Sequence, residues 1–156
     1  MMKPMTDPTD YTISEHPFLS GLSGRFLTQL NRGATPREYS VDEYLVREGE
    51  EANHLFLIYS GKVALEVVAP DQPPLTIETI GPGGVVGWSW STEPRRYEHS
   101  ARALRMTHAI AIEATVLRAA CERDPADGYR FISRLLVVVV DRLTNTRQQL
   151  MDNQRR

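Results

Sequence analysis

Short apolar runs separated by turn residues fill the middle of this chain, from Arg37 to Glu113. Two of them, Val63 to Val67 and Leu75 to Ile80, alternate apolar and polar residues as a strand with one buried face does. Short strands at regular spacing favour a jelly roll or barrel over an open sheet, because such folds leave few unpaired strand edges. The pattern predicts an antiparallel, double-stranded β-roll as the body of the protein.

Two connections within this region carry turn signals. Ser60-Gly61 lies between two apolar runs, which suggests a hairpin. The segment from Pro70 to Pro74 contains three prolines, which lack the N–H that a strand ladder needs. We therefore expect this segment to interrupt any further pairing.

Helical signals flank the strand-rich region. Before it, Leu22-Ser23 offers a hydrophobic staple and an N-cap for a short helix that Gly33 can close. After it, a short helix is predicted from Ala114 to Glu122, ended by Asp124-Pro125. A long helix is predicted from Asp127 to about Asn153, because this stretch has no proline and a single glycine near its start. The chain thus divides into a disordered leader over residues 1–12, a β-roll over residues 13–126 and a C-terminal helix over residues 127–156.

The long helix carries two apolar stripes. One repeats at alternating spacings of 4 and 3 residues, as a heptad seam does: Ile132, Leu136, Val139, Leu143, Thr146 and Leu150. The other, Phe131, Leu135 and Val138, covers the first half only, so that half should lie between the β-roll and a partner helix. The alternative for Leu135 to Val140 is a buried strand, since four successive valines are unfavourable in a helix. The seam continues beyond the valines and favours a helix, with a homodimer interface on Ile132, Leu136, Val139, Leu143 and Leu150.

Composition limits the setting in which the protein works. With 156 residues and 41% hydrophobic residues, the chain can bury one core. A net charge of −2 gives no overall attraction to DNA or to an anionic membrane. The single cysteine, Cys121, excludes an internal disulfide and fits a reducing compartment. The polar N-terminus resembles neither a signal peptide nor a membrane anchor, so we expect a soluble, cytoplasmic protein.

A glycine-rich loop has the layout of an anion-binding device. Gly83, Gly84 and Gly87 precede Trp88-Ser89-Trp90, so the backbone can turn sharply and end in a short helix whose free N–H groups would face an anion. A strand-like run from Tyr97 to Met106 follows, and its first residues would lie over the same hollow. The segment predicts a ligand-binding site.

This segment resembles the phosphate-binding cassette of the cyclic-nucleotide-binding domains of the catabolite-activator (Crp/Fnr) type, in which F-G-E-L leads to R-[ST]-A and then V-[RK]-A. Val86-Gly87 stands in the F-G place and Ala101-Arg102-Ala103 in the V-[RK]-A place. Trp88 then occupies the position of the glutamate that takes the ribose hydroxyl, and Tyr97 that of the arginine that takes the phosphate. The resemblance implies cyclic AMP or cyclic GMP as ligand, and the loss of both side chains predicts altered or lost affinity.

The resemblance extends from about His16 to Asp152. Glu48-Gly49-Glu50 and the run from Leu55 to Val63 resemble the family's E-G-[ED] and [LF]-[FY]-x-[IL]-x-x-G-x-[VA] strands. Asp42 stands where the family usually has a turn glycine, and aspartate tolerates such turns.

In the long helix, the run from Asp141 to Arg147 resembles the R-R-L-x-x-T-S segment that reads the adenine edge from the dimer seam. Thr146 matches its threonine and Arg147 replaces its serine. Family transcription factors continue into a helix-turn-helix domain, whereas this sequence stops at Arg156. We therefore expect no direct DNA binding.

The resemblance and the loop together give one set of candidate ligand-binding residues: Val86, Gly87, Trp88, Ser89, Arg95, Arg96, Tyr97, His99, Ser100, Thr146 and Arg147. Arg95 or Arg96 could supply the missing guanidinium, or both are solvated charges of a polar loop. The indole of Trp88 could stack on a flat ligand, or fill the pocket as a core side chain.

Catalysis and metal binding have little support in the sequence. No H-x-H pair marks a cupin-type metal site, and His54, His99 and His108 suggest neither metal nor haem. Cys121 is expected to be a buried apolar residue, and no nucleophile with its base stands out, so we do not expect an enzyme. The predicted function is a regulatory small-molecule sensor that signals through its C-terminal helix to a protein partner. The alternative is a ligand-free dimeric interaction module whose pocket is filled by Trp88.

Overall fold

Two four-stranded antiparallel sheets form the body of the protein. The structure, a computed structural model, describes residues 12–154. Its strands are β1 (Ala34–Tyr39), β2 (Tyr44–Val46), β3 (His54–Ser60), β4 (Val63–Val67), β5 (Leu75–Ile80), β6 (Val85–Val86), β7 (Ser100–Ala103) and β8 (Thr107–Glu113). One sheet has the order β1-β8-β3-β6 and the other β2-β7-β4-β5. The predicted β-roll with flanking helices is confirmed. The predicted leader lies outside the described residues except for Thr12.

The connection at Ser60-Gly61 is not a hairpin, so that prediction is wrong. β3 and β4 lie in different sheets, and the chain crosses from one to the other at Gly61. Gly61 has φ +97°, and a Cβ there would lie 2.5 Å from the carbonyl oxygen of Met106, so only glycine fits this crossing.

The proline-bearing loop does not interrupt pairing either. β4 and β5 pair across it, with Val67 opposite Leu75 and Val63 opposite Ile80. The prolines occupy the connection itself, where no ladder hydrogen bond is needed. β4 and β5 therefore form a hairpin, and the prediction that the prolines interrupt pairing is wrong.

Asp42 forms a tight turn at the position where the resembling family usually has glycine. Asp42 adopts φ +72°, and its N–H donates to the carbonyl oxygen of Ala103 at 2.8 Å. Aspartate reaches this left-handed region more readily than most residues.

Three α-helices complete the fold of residues 12–154: α1 (Gly24–Asn31), α2 (Ala114–Arg123) and α3 (Pro125–Gln154). Ser23 caps α1 as predicted, its hydroxyl oxygen accepting from the Phe26 N–H at 3.2 Å. The helical interpretation of Leu135 to Val140 is confirmed, because this segment lies inside α3. α3 begins at Pro125, two residues before the predicted start, since proline is well tolerated in a first helical turn. Within residues 12–154, no helix combines the length and apolar character needed to cross a membrane.

The two stripes of α3 differ in burial. Phe131 and Leu135 are fully buried, and the Phe131 ring contacts those of Phe18 and Phe26 with centroids 5.6 and 5.9 Å away. The seam is exposed: Ile132 is 40% accessible, Leu136 61%, Leu143 58% and Leu150 49%. An exposed apolar stripe of this length is typical of a helix that pairs with another. The homodimer interface remains a prediction.

Candidate functional site

The glycine-rich loop passes from β6 into a single 3₁₀ turn, Trp88–Ser91. Gly87 makes this possible, because it adopts φ +91° and a Cβ there would lie 2.9 Å from the carbonyl oxygen of His54. The predicted short helix is thus only four residues long, too short for aligned peptide dipoles to attract an anion appreciably. The loop has the expected path without the expected helix N-terminus.

The two tryptophans of the turn have different surroundings. Trp90 is 1% exposed, and its ring lies 6.1 Å from that of Phe131 in α3, so it belongs to the core. Trp88 is half-buried and meets the His99 ring edge-on at 6.3 Å. Both indole N–H groups are buried, and neither has a hydrogen-bond partner within residues 12–154. Trp88 is therefore the indole that faces the candidate site.

A cavity of about 10 Å³ lies between the loop and the second sheet. Its walls are formed by Val46, Leu65, Val86, Gly87, Trp88, Ser89, Tyr97, Glu98, His99 and Arg142. Six of the residues predicted to bind ligand are thus brought together here: Val86, Gly87, Trp88, Ser89, Tyr97 and His99. A volume of this size accommodates about one water molecule, so these side chains largely fill the space beside the loop.

Tyr97 ties the loop to the start of β3. Its hydroxyl donates to the carbonyl oxygen of His54 at 3.1 Å and accepts from the His54 N–H at 3.2 Å. Burial raises the pKa of Tyr97, so the hydroxyl stays neutral and available for these bonds. The run predicted as a strand from Tyr97 becomes β7 only at Ser100, because Tyr97 itself pairs with Gly49 and Glu50 instead. At the position where the resemblance implies a phosphate-binding arginine, this chain therefore has a tyrosine that is hydrogen-bonded to the backbone of β3.

Arg142 lines both the cavity and its surroundings, and it is not among the candidate site residues predicted from the sequence. This α3 residue is 4% exposed; its Nε donates to Oε1 of Glu78 at 3.1 Å and its Nη2 to the carbonyl oxygen of Val85. Burial lowers the pKa of Arg142 while the Glu78 carboxylate opposes that shift, and the arginine stays charged. The sequence does contain a signal for the burial of Arg142, because this residue continues the inward stripe of Phe131, Leu135 and Val138 at helical spacing.

A larger groove of about 350 Å³ opens beside this cavity, between the second sheet and α3. It is lined by Val67, Trp88, Glu98, His99, Val139, Arg142, Leu143 and Thr146. Thr146 therefore reaches the site as predicted, although its hydroxyl donates to the Arg142 carbonyl oxygen at 2.7 Å. Trp88, Glu98, His99 and Arg142 line both spaces and so form the wall between them.

Four predicted residues lie elsewhere. The Ser100 hydroxyl oxygen accepts from the Glu48 N–H at 2.9 Å, and Ser100 lines a separate surface groove with Glu48. Arg95 pairs with Glu93 at 3.5 Å, and Arg96 donates to the carbonyl oxygen of Gly49 at 3.0 Å. Arg147 is exposed on α3. None of the four lines the cavity or the groove.

Histidine protonation should make the fold sensitive to acid. Burial, and secondarily the charge of Arg142, lowers the pKa of His99 from its ordinary 6.5 to about 4. Between these pH values the unfolded chain binds a proton that the folded chain does not, so the free energy of unfolding falls as pH drops through this window and is unaffected above it. Burial lowers the pKa of His16 and His54 in the same direction.

Urea unfolding at pH 7.5 and pH 5 tests this expectation. The loss of stability on acidification should be smaller in His99→Asn, whose side chain is neutral at both pH values. Equal losses in the variant and the wild type would contradict the assignment to His99.

Known proteins resemble this chain over most of its length. Residues 36–124 match the family model "Cyclic nucleotide-binding domain". A "CRP-like cAMP-activated global transcriptional regulator" of Mycobacterium tuberculosis is 24% identical over 143 residues, which are 92% of this chain but 62% of that regulator. The chain thus spans less than two thirds of the curated relatives it matches.

Two crystal structures share the fold. One is a putative cyclic nucleotide-binding protein from Geobacter metallireducens, with a TM-score of 0.73, 23% identity and coverage of 89% of this chain and 99% of that one. The other is a cyclic nucleotide-binding domain from Methylobacillus flagellatus, with a TM-score of 0.75, 19% identity and coverage of 88% and 81%. Together with the family match over more than half of its residues, these findings place the chain in the cyclic nucleotide-binding domain family.

Proposed function

We propose that this protein is a regulatory small-molecule sensor with altered or lost affinity for cyclic nucleotides. In this proposal it acts in the cytoplasm as a homodimer and signals through α3 to a protein partner. The observation that carries the proposal is the filled space beside the loop, where Trp88, Tyr97 and Arg142 leave a cavity of about 10 Å³. A cyclic nucleotide is many times larger than one water molecule, so it cannot enter unless these side chains move.

The polar groups around the cavity also suit a cyclic nucleotide poorly. A ribose hydroxyl would meet the indole of Trp88 instead of a carboxylate, and the Tyr97 hydroxyl is engaged with the backbone of His54. The buried guanidinium of Arg142 is held by Glu78 and by the Val85 carbonyl oxygen. Two of its three nitrogens are therefore already bonded, so the phosphate of a cyclic nucleotide beside the loop would not meet the free, bidentate arginine that the family uses.

The attachment of α3 suggests how occupancy would become a signal. Trp90 of the loop packs on Phe131 of α3, and Arg142 of α3 bonds to Val85 at the start of the loop. α3 is thus fixed to the loop at two points. A ligand that displaces Trp88 or Arg142 would favour a different position of α3, provided that it binds the two arrangements with different affinity.

The groove favours a sensor over the ligand-free module. Filling of the cavity by Trp88 still leaves a space of about 350 Å³ in the single chain, along Val67, Val139 and Leu143 and with Trp88 in its wall. In the proposed homodimer the partner helix would cover Val139 and Leu143 and so close this space on its outer side. This volume lies within the range of small-molecule sites.

A substitution at Trp88 tests the proposed loss of nucleotide recognition. Trp88→Glu restores the carboxylate that the family uses for the ribose hydroxyl, and Trp88→Gln is its uncharged control. By isothermal titration, cyclic AMP should bind the Glu variant about tenfold more tightly than the Gln variant, because a hydrogen bond to a charged acceptor contributes roughly 1.5 to 3 kcal/mol. Equally tight binding by the wild type and both variants would refute the proposal.

A further inference from the structure

The wall shared by the cavity and the groove presents hydrogen-bond donors that the protein leaves unused. The indole Nε1 of Trp88 is buried and has no acceptor within residues 12–154. Arg142 uses Nε and Nη2 in its bonds to Glu78 and Val85, whereas Nη1 takes part in none of the hydrogen bonds or ion pairs of the described chain. A buried donor without an acceptor, such as Trp88 Nε1, is unfavourable, so a molecule that enters here gains by bringing acceptor oxygens.

From these donors we infer that the groove binds a small amphipathic acid, with its anionic group on Arg142 and Trp88 Nε1 and its apolar body along Val67, Val139 and Leu143, beneath the partner helix of the proposed homodimer. The inference rests on the proposed sensor function and specifies its ligand class. In this inference the anion-binding guanidinium comes from Arg142 of α3, whereas the family's comes from the loop position that is Tyr97 here.

The charges around the wall support an anion at Arg142. The Arg142 side chain is 5% exposed, and that of its one carboxylate partner within residues 12–154, Glu78, is 21% exposed. The other acid at the wall, Glu98, is exposed, so solvent and salt screen its repulsion of an entering anion. Burial makes an interaction with Arg142 correspondingly less screened.

The rest of the groove selects an apolar, compact body. Val67, Val139 and Leu143 contribute only hydrocarbon, and the half-buried ring of Trp88 offers an aromatic surface. The hydroxyl of Thr146 already donates to the Arg142 carbonyl oxygen, so it adds no free donor for a sugar. An aryl carboxylate or an aryl phosphate has the required combination of a flat body and an anionic end.

Isothermal titration of the 156-residue chain tests the inference with three probes. The probes are trans-cinnamate, its uncharged analogue trans-cinnamyl alcohol, and phenyl phosphate. An anion should bind at least about tenfold more tightly than the alcohol, because a charge-assisted hydrogen bond to a buried guanidinium is stronger than a neutral one. The tighter of cinnamate and phenyl phosphate identifies whether the anion is a carboxylate or a phosphate.

Two pairs of variants test whether residues of the wall cause the preference for an anion over the alcohol. Arg142→Gln should lose the preference for the acid, whereas Arg147→Gln, which removes an exposed arginine of the same helix, should keep it. If Arg142→Gln does not fold, Glu78→Gln and Trp88→Phe replace it. The first frees Arg142 and should tighten binding of the acid; the second removes the indole N–H but keeps a ring and should weaken it.

The inference is wrong if the alcohol binds as tightly as both anions, if no probe binds at about 5 mM, or if Arg147→Gln loses the preference as fully as Arg142→Gln. A parallel titration with cyclic AMP separates this failure from that of the proposed function. Tight binding of cyclic AMP to the wild type would refute the altered nucleotide recognition, whereas failure of the acid probes alone would refute only the ligand class.

Discussion

At about 10 μM cyclic AMP or cyclic GMP, the melting temperature of the protein is expected to stay unchanged. Loss of an arginine-to-phosphate contact at Tyr97 costs roughly 1.5 to 3 kcal/mol, and loss of the ribose acceptor at Trp88 roughly 1 to 3 kcal/mol more. Together they weaken binding by about 10² to 10⁴-fold relative to a family member with both side chains. The displacement of Trp88 or Arg142 needed to enlarge a cavity of about 10 Å³ weakens it further.

Thermal unfolding at about 10 μM and about 5 mM nucleotide measures this. A ligand present at 100 times its dissociation constant stabilises a protein by about 2.7 kcal/mol, so even weak binding becomes visible at the higher concentration. Uncyclised AMP at the same concentrations controls for effects of ionic strength. A large upward shift already at 10 μM would show that the loop binds the nucleotide without its glutamate and arginine, and the proposed function would have to be abandoned.

Leu143→Asp is expected to convert a homodimer into monomers. Leu143 is 58% exposed at the centre of the apolar seam of α3, where the predicted partner helix would cover it. Removing a buried leucine side chain costs roughly 1.5 to 3 kcal/mol, and a symmetric dimer loses two of them. We therefore expect the dimer to weaken by at least about 10² to 10⁴-fold, before the repulsion between the two introduced carboxylates is counted.

Analytical ultracentrifugation of the wild type and two variants tests the seam. Val137→Asp is the matched control, because Val137 is 61% exposed on the same helix but lies outside the heptad positions. The control should remain dimeric while Leu143→Asp sediments as a monomer. The interface is wrong if the wild type is itself monomeric, or if Leu143→Asp remains as fully dimeric as the control.

The family and most of the secondary-structure elements could be predicted from the sequence. The strands and helices follow from local patterns that need no tertiary context: alternation in β5, the Ser23 cap of α1, and the heptad spacing of α3. The resemblance of the loop to the family's cassette follows from a short run of residues, as does the prediction that Trp88 and Tyr97 replace the two ligand-reading side chains. Each of these features is formed by residues that are near one another along the chain, where sequence patterns are informative.

Strand partners and the state of the site depend on contacts between distant residues. Gly61 looks like a hairpin turn, but its close approach to Met106 makes it a crossing between sheets. Arg142 looks like a surface arginine of a charged helix, but α3 packs so that its guanidinium enters the β-roll and meets Glu78 and Val85. A buried charge is stable only where polar partners surround it. For Arg142 these partners are Val85 and Glu78, which lie 57 and 64 positions away along the chain. The sequence by itself therefore determines the family and predicts where the loop departs from the family pattern, whereas tertiary packing decides which side chains occupy the site.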